Sequence, residues 1–124
     1  MQAERTSDAY RHIVKIYAQL NCSDLGTSIP WFEKLFGRGP DARPMEGLAE
    51  WHHGDNAGLQ LFENKDDAGH GTLTLIVECL RDERRRLDAE GLAPGPVEPA
   101  TSTSLVKLTD PDNNAVILAQ PGQV

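Results

Sequence analysis

Few side chains in this sequence could do chemistry: four histidines, two cysteines, and a carboxylate or tyrosine placed to share a proton. The histidines are His12, His52, His53 and His70. A metal centre needs several imidazole, thiolate or carboxylate donors converging on one point. His52 and His53 are neighbours in an alternating stretch, so their side chains point to opposite faces and cannot easily share one ion. Which of the two faces a cleft is open from the sequence. Cys22 and Cys79 show neither metal-ligand spacing nor enough thiols for a disulfide framework, and read as small buried or half-buried residues. Tyr17, Glu50 and His52 or His53 could act as general acid or base toward a bound molecule, although nothing in their spacing demands it.

The elements that must position these groups belong to a single domain. A chain of 124 residues, 39% hydrophobic and 25% charged, reads as one soluble globular unit. No apolar run is long enough to span a membrane, and the first residues lack the apolar stretch of a secretory leader, so a cytoplasmic location is expected. With 12 Lys and Arg against 19 Asp and Glu, the net charge is −7. Nucleic acid is not an expected partner, because phosphate binding needs concentrated basic side chains. The one basic run, Arg84-Arg85-Arg86, is flanked by Asp82, Glu83, Asp88 and Glu90 and reads as a solvated helix face. An acidic surface instead suits steering of a cationic ligand.

Residues 1–11 are expected to be a polar tail and residues 12–124 the domain, with one module over about 12–65 and a second over about 70–121. Alternation from Ile13 predicts a first strand with Ile16, Ala18 and Leu20 on one face and Tyr17, Gln19 and Asn21 on the other. Ile29, Phe32, Leu35 and Phe36 form a helical stripe ending at Gly37. Asp24, Thr27 and Ser28 are candidate caps, and Pro30 suggests a helix start near Thr27 or Ser28. Trp31 beside the stripe reads as core. Strands follow over 48–53 and 58–62, with a turn at Asp55-Asn56 between them. The segment 39–44 is turn-like or an irregular edge, and 64–71 is the expected seam between modules. The second module repeats the order: a strand over 72–77, a helix over 80–90, a proline-interrupted 92–100, and strands over 104–109 and 115–119. The last two flank the turn Asp110-Pro111-Asp112-Asn113-Asn114, in which Asn113 suits the left-handed conformation.

The order is β-α-β-β-β, twice. A module with a helix on one sheet face leaves the other open, and two open faces can curl around a cavity. This predicts a cleft lined by Tyr17, Gln60, Phe62, Thr72, Thr74 and Ile117.

Ser28-Ile29-Pro30-Trp31-Phe32-Glu33-Lys34-Leu35-Phe36-Gly37 after Asp24-Leu25 resembles the first strand-to-helix signature of the vicinal-oxygen-chelate superfamily. Asp110-Pro111-Asp112-Asn113-Asn114 is similar to that family's DPDGN turn, with Asn for Gly. The resemblance spans about residues 13–120. It implies an α+β fold in which two βαβββ modules form a curved mixed sheet around a cleft, as in glyoxalases and bleomycin-resistance proteins. The strand positions where the family's enzymes place metal ligands correspond here to Tyr17, Gln60, Thr72 and Ile117. That set lacks carboxylate and imidazole, so no metal and no other cofactor are expected.

What the resemblance implies is therefore a metal-free small-molecule binder of the bleomycin-resistance type, working as a homodimer and sequestering a cationic antibiotic or metabolite. Tyr17, Trp51 and Phe62 would give flat apolar contact, and Gln60, Thr72 and Thr74 would orient the ligand. Trp51 reads equally well as core or interface. The alternatives are a metal-independent isomerase or lyase, and a metal-dependent lyase or dioxygenase with atypical ligands.

Overall fold

The computed structural model describes residues 12–124. The polar tail expected over 1–11 lies outside the described residues. The first module contains β1 (Ile16–Cys22), α1 (Leu25–Phe36), β2 (Leu48–His53) and β3 (Ala57–Glu63). The second contains β4 (Thr72–Ile76), α2 (Leu80–Ala89), β5 (Glu98–Pro99), β6 (Thr103–Thr109) and β7 (Ala115–Pro121).

The α+β architecture and the module order are those expected, but the strands form two sheets rather than one. The first has order β1-β3-β2 and the second β4-β7-β6-β5. Each is mixed: β1 and β4 run parallel to β3 and β7, while the hairpin pairs are antiparallel. The second strand of the first module is reduced to one bridge between Ala42 and Glu50. Pro40 and Pro44 flank that bridge and cannot donate to a ladder. Its counterpart β5 is only two residues long, in a stretch carrying Pro94, Pro96 and Pro99.

Helix α1 begins earlier than Pro30 suggests. The Asp24 carboxylate accepts hydrogen bonds from the Thr27 amide (3.0 Å) and Thr27 hydroxyl (2.7 Å), and the Glu63 carboxylate accepts from the Leu25 amide (2.9 Å). These acceptors satisfy the free amides of the first turn and hold it helical with Pro30 inside the helix. Gly37 ends it at φ +75°, donating to the Glu33 carbonyl. Asn113 turns the 110–114 loop at φ +74°, as its side chain allows.

One hydrophobic core serves both modules. It joins Leu20, Phe32, Leu35, Trp51, Leu59 and Leu61 of the first to Leu73, Leu80, Leu87, Val106, Val116 and Leu118 of the second. Each such side chain contributes roughly 1.5–3 kcal/mol by leaving water. Polar ties close the seam. The Asp112 carboxylate accepts from the Ser23 amide (3.1 Å) and hydroxyl (2.5 Å), and the Asn114 amide donates to the Asn21 carbonyl (2.8 Å). Arg86 of α2 donates to the last carbonyls of α1, at Lys34 and Leu35. Among the described residues no helix is long and apolar enough to cross a membrane.

One local expectation is corrected. Cys22 is buried, but Cys79 is exposed just before α2. Ile16 and Ala18 share a face with Leu20, yet only Leu20 is buried. Ile16 remains 71% exposed, because the shared core stops short of the start of β1.

Candidate functional site

Strand alternation gives each sheet an inner face on the shared core and an outer face away from it. On the first sheet the register places Tyr17 beside Gly58, Gln19 beside Gln60, and Asn21 beside Phe62. Across the hairpin, Glu50 pairs with Gln60 and His52 with Gly58. Tyr17, Glu50, His52, Gln60 and Phe62 therefore share the outer face.

Four of these side chains converge. The Glu50 carboxylate accepts from the Gln60 amide at 2.8 Å and lies 3.3 Å from the Tyr17 hydroxyl, which donates to it. His52 Nε2 stands 3.1 Å from the same carboxylate. Glu50 is only 8% exposed, on a face where Leu48 is also buried and Tyr17, His52, Gln60 and Phe62 are half-buried. Hydrogen bonds from Gln60, then from His52, outweigh desolvation and hold its carboxyl below the usual carboxylate range. Gly58 makes the arrangement sterically possible. A Cβ there would lie 2.7 Å from the Tyr17 ring and 2.6 Å from the Trp51 carbonyl oxygen. The ring can thus lie across the strand and carry its hydroxyl to Glu50. The Lys15 ammonium sits 5.9 Å from the centroid of the Tyr17 ring, and His52 meets that ring edge-on at 6.2 Å.

On the second sheet, Thr74 pairs with Ile117, and Thr72 with Ala115. Thr72 and Thr74 are exposed and Ile117 is half-buried, with Lys107 opposite it on β6. The face assignments from alternation thus hold for Tyr17, Gln60, Phe62, Thr72, Thr74 and Ile117. Within one chain, however, these residues lie on two outer faces rather than around one cleft, because the inner faces are joined in the shared core. Trp51 lies on the opposite side of the first sheet. It is 2% exposed, packs against Phe32 and Phe36 at centroid distances of 6.0 and 5.5 Å, and donates its indole N–H to the Arg38 carbonyl. It belongs to the core, not to the face that carries Tyr17.

Glu50 is the residue that sequence reasoning underweighted. A carboxylate on a strand is usually solvated. The available signal was its place in alternation with His52, cross-strand from Gln60. Which histidine joins this face is settled by the same register: His52, with His53 on the other side.

The ligand positions that the superfamily's metal enzymes would use do not fit a metal here. Tyr17 and Gln60 lie on one sheet, Thr72 and Ile117 on the other, and none is a carboxylate or imidazole. Among the described residues no three His, Cys, Asp or Glu side chains are grouped to hold an ion.

This architecture, two βαβββ modules with each helix packed inward, is the vicinal-oxygen-chelate fold. A glyoxalase/bleomycin resistance protein from Catenulispora acidiphila DSM 44928 superposes with a TM-score of 0.78 at 27% identity, over 86% of this chain and 97% of that one. A bleomycin-binding protein solved in complex with bleomycin gives 0.72 at 20% identity, over 86% and 97%. A lactoylglutathione lyase from Agrobacterium tumefaciens gives 0.70 at 16% identity, over 85% and 91%. No protein-family profile and no curated protein sequence matches the chain. By fold the chain is a member of the vicinal-oxygen-chelate superfamily, of the glyoxalase/bleomycin-resistance type.

Proposed function

We propose that this protein binds a small cationic molecule, an antibiotic or a metabolite, without a metal, and sequesters it on the outer face of the first sheet. The observation that carries this reading is the Glu50 carboxylate: ionised, almost covered, and held by Tyr17, His52 and Gln60 on the outer face of the first sheet. A carboxylate has about four acceptor positions, so three donors leave room for a ligand N–H. The Tyr17 ring already has the Lys15 ammonium near it, and a ligand cation could take that place. The bleomycin complex of a protein with the same fold supports the ligand class.

The working unit is proposed to be a homodimer. β1 and β4 are both sheet edges. Ile13, Val14 and Ile16 at the start of β1, and Ile76 at the end of β4, are 58%, 76%, 71% and 69% exposed. Unpaired strand edges with apolar side chains favour pairing with another chain. A second copy joining β1 to β4 would bring Tyr17, Gln60 and Phe62 beside the partner's counterparts of Thr72, Thr74 and Ile117, forming the cleft that one chain lacks. Cys22 and Cys79 are free thiols, in keeping with a reducing, cytoplasmic setting.

Calorimetric titration of wild type and Glu50→Gln with a panel of cationic antibiotics, bleomycin among them, tests the proposal. Loss of one charge-assisted hydrogen bond should weaken binding about ten- to hundredfold. Equal affinity in the variant would remove Glu50 from the site, and no binding by wild type would remove the reading. Metal analysis should find no stoichiometric ion, and chelator should leave the melt unchanged. A bound equivalent would overturn the metal-free assignment.

A second reading rests on the same cluster. His52 beside an ionised Glu50 could pass a proton to or from a bound substrate, as a metal-independent isomerase or lyase would require. Turnover by chelator-treated protein, abolished in His52→Gln, would favour it over sequestration.

A further inference from the structure

We propose that the protein has a second binding site, distinct from the Glu50 carboxylate, in the seam between the modules, and that it takes a small neutral aromatic molecule bearing one hydrogen-bonding group. A cavity of about 230 Å³ lies on the inner side of the first sheet. Trp51 and Leu59 form one wall and Leu73 and Leu75 of β4 the other, with Phe36 at the end of α1 beside them, and His52 and Gly58 also contribute to the lining. Each module supplies one side, so a molecule held there touches both.

Size and chemistry define the occupant. The cavity is partly open to solvent. An engineered apolar cavity of about 150 Å³ accepts benzene, so this one suits one ring or two fused rings. The walls are aliphatic and aromatic, and the Phe36 and Trp51 rings are inclined at 35° with centroids 5.5 Å apart, leaving a planar guest ring faces and edges to meet. Leu75 and Phe36 are only half-buried, although both point toward the core, so apolar surface is left uncovered where the cavity lies.

Polar groups cluster at one end. Arg38 lines the cavity, but its guanidinium is engaged by Asp41 at 2.8 Å and by the His52 carbonyl. A ligand carboxylate would therefore meet a cation that is already paired, and a neutral ligand is favoured. His53, which is exposed, also lines the cavity, and among the described residues its side chain makes no hydrogen bond. One imidazole nitrogen is thus free to accept from, or donate to, a hydroxyl or N–H on the guest. Phenols and indoles have this chemistry.

Indole and phenol titrated into the intact protein, followed by two-dimensional NMR at the Trp51 indole N–H, form the test. That proton bonds to the Arg38 carbonyl at the cavity wall and should report entry. We expect saturable shifts with a roughly millimolar Kd, in line with the affinity accessible to so few ligand atoms. Leu75→Phe, or Leu73→Phe if the first variant does not fold, should fill the space and weaken binding at least tenfold while the melting temperature holds or rises. Glu50→Gln should leave indole binding unchanged, which separates this site from the Glu50 carboxylate. Absence of saturable shifts, binding that survives both filling variants, or binding lost in Glu50→Gln would each overturn the proposal.

Discussion

At the residue scale, the chemistry of this protein turns on how one carboxylate is surrounded. Glu50 stays ionised because Gln60 and His52 stabilise its charged form more than partial burial disfavours it. Two consequences share a sign. A carboxyl whose folded pKa is depressed contributes stability above its unfolded pKa, and that contribution is lost as pH falls through the folded value. The attraction for a cationic ligand disappears over the same window. Binding should be flat from neutral pH down into the ordinary carboxylate range and fall only below it, as pH drops through the depressed value. Titration calorimetry across pH checks this. A Glu50→Gln variant with the same acid limb would assign the pH dependence elsewhere. Two other buried groups shift the opposite way and mark structure rather than chemistry. Burial pushes the Cys22 thiol up to about 11, and burial raises the Asp110 carboxyl despite hydrogen bonds from Asn114. An un-ionised thiol is a poor nucleophile, so Cys22 behaves as a small core residue.

At the element scale, local rules and tertiary contacts compete, and α1 shows which prevailed. Pro30 removes an amide donor from the helix interior, which argues for a later start. Capping by Asp24 and the reach of Glu63 from β3 to the Leu25 amide outweigh that cost. The sequence reading had Asp24 among the caps but no means of seeing Glu63, a contact across 38 positions. Since Pro30 is exposed, its ring contributes little packing. Replacing it with alanine should restore the donor and stabilise the fold by roughly 1–3 kcal/mol, after allowing for the freer unfolded chain. A calorimetric melt checks this, and a lowered melting temperature would mean that the proline shapes the α1 entry. The reverse case is the 110–114 turn. Pro111 and Asn113 act through their own backbone preferences, so local chemistry alone located it.

At the scale of the whole molecule, the proposed cleft depends on a second copy. Light scattering after size exclusion should return twice the 13.6 kDa chain mass at micromolar concentration. Ile16→Asp and Ile76→Asp, both at exposed positions, should shift the protein to monomer and abolish ligand binding on the outer face with secondary structure intact. A wild-type monomer that still binds would place the whole site on one sheet. The sequence by itself determined the module order, nearly all of the strands and the faces of Tyr17, Gln60, Phe62, Thr72, Thr74 and Ile117. Those follow from period-two and period-3.6 patterning and from turn residues, which are local. Only the tertiary structure decided that the two inner faces join in one core, which sends Trp51 inward and separates the two outer faces. It also decided that Glu50, Tyr17, His52 and Gln60 meet. The physical reason is the same for each: strand pairing and core packing join residues far apart in the chain, and alternation states which face a side chain takes but not what that face meets.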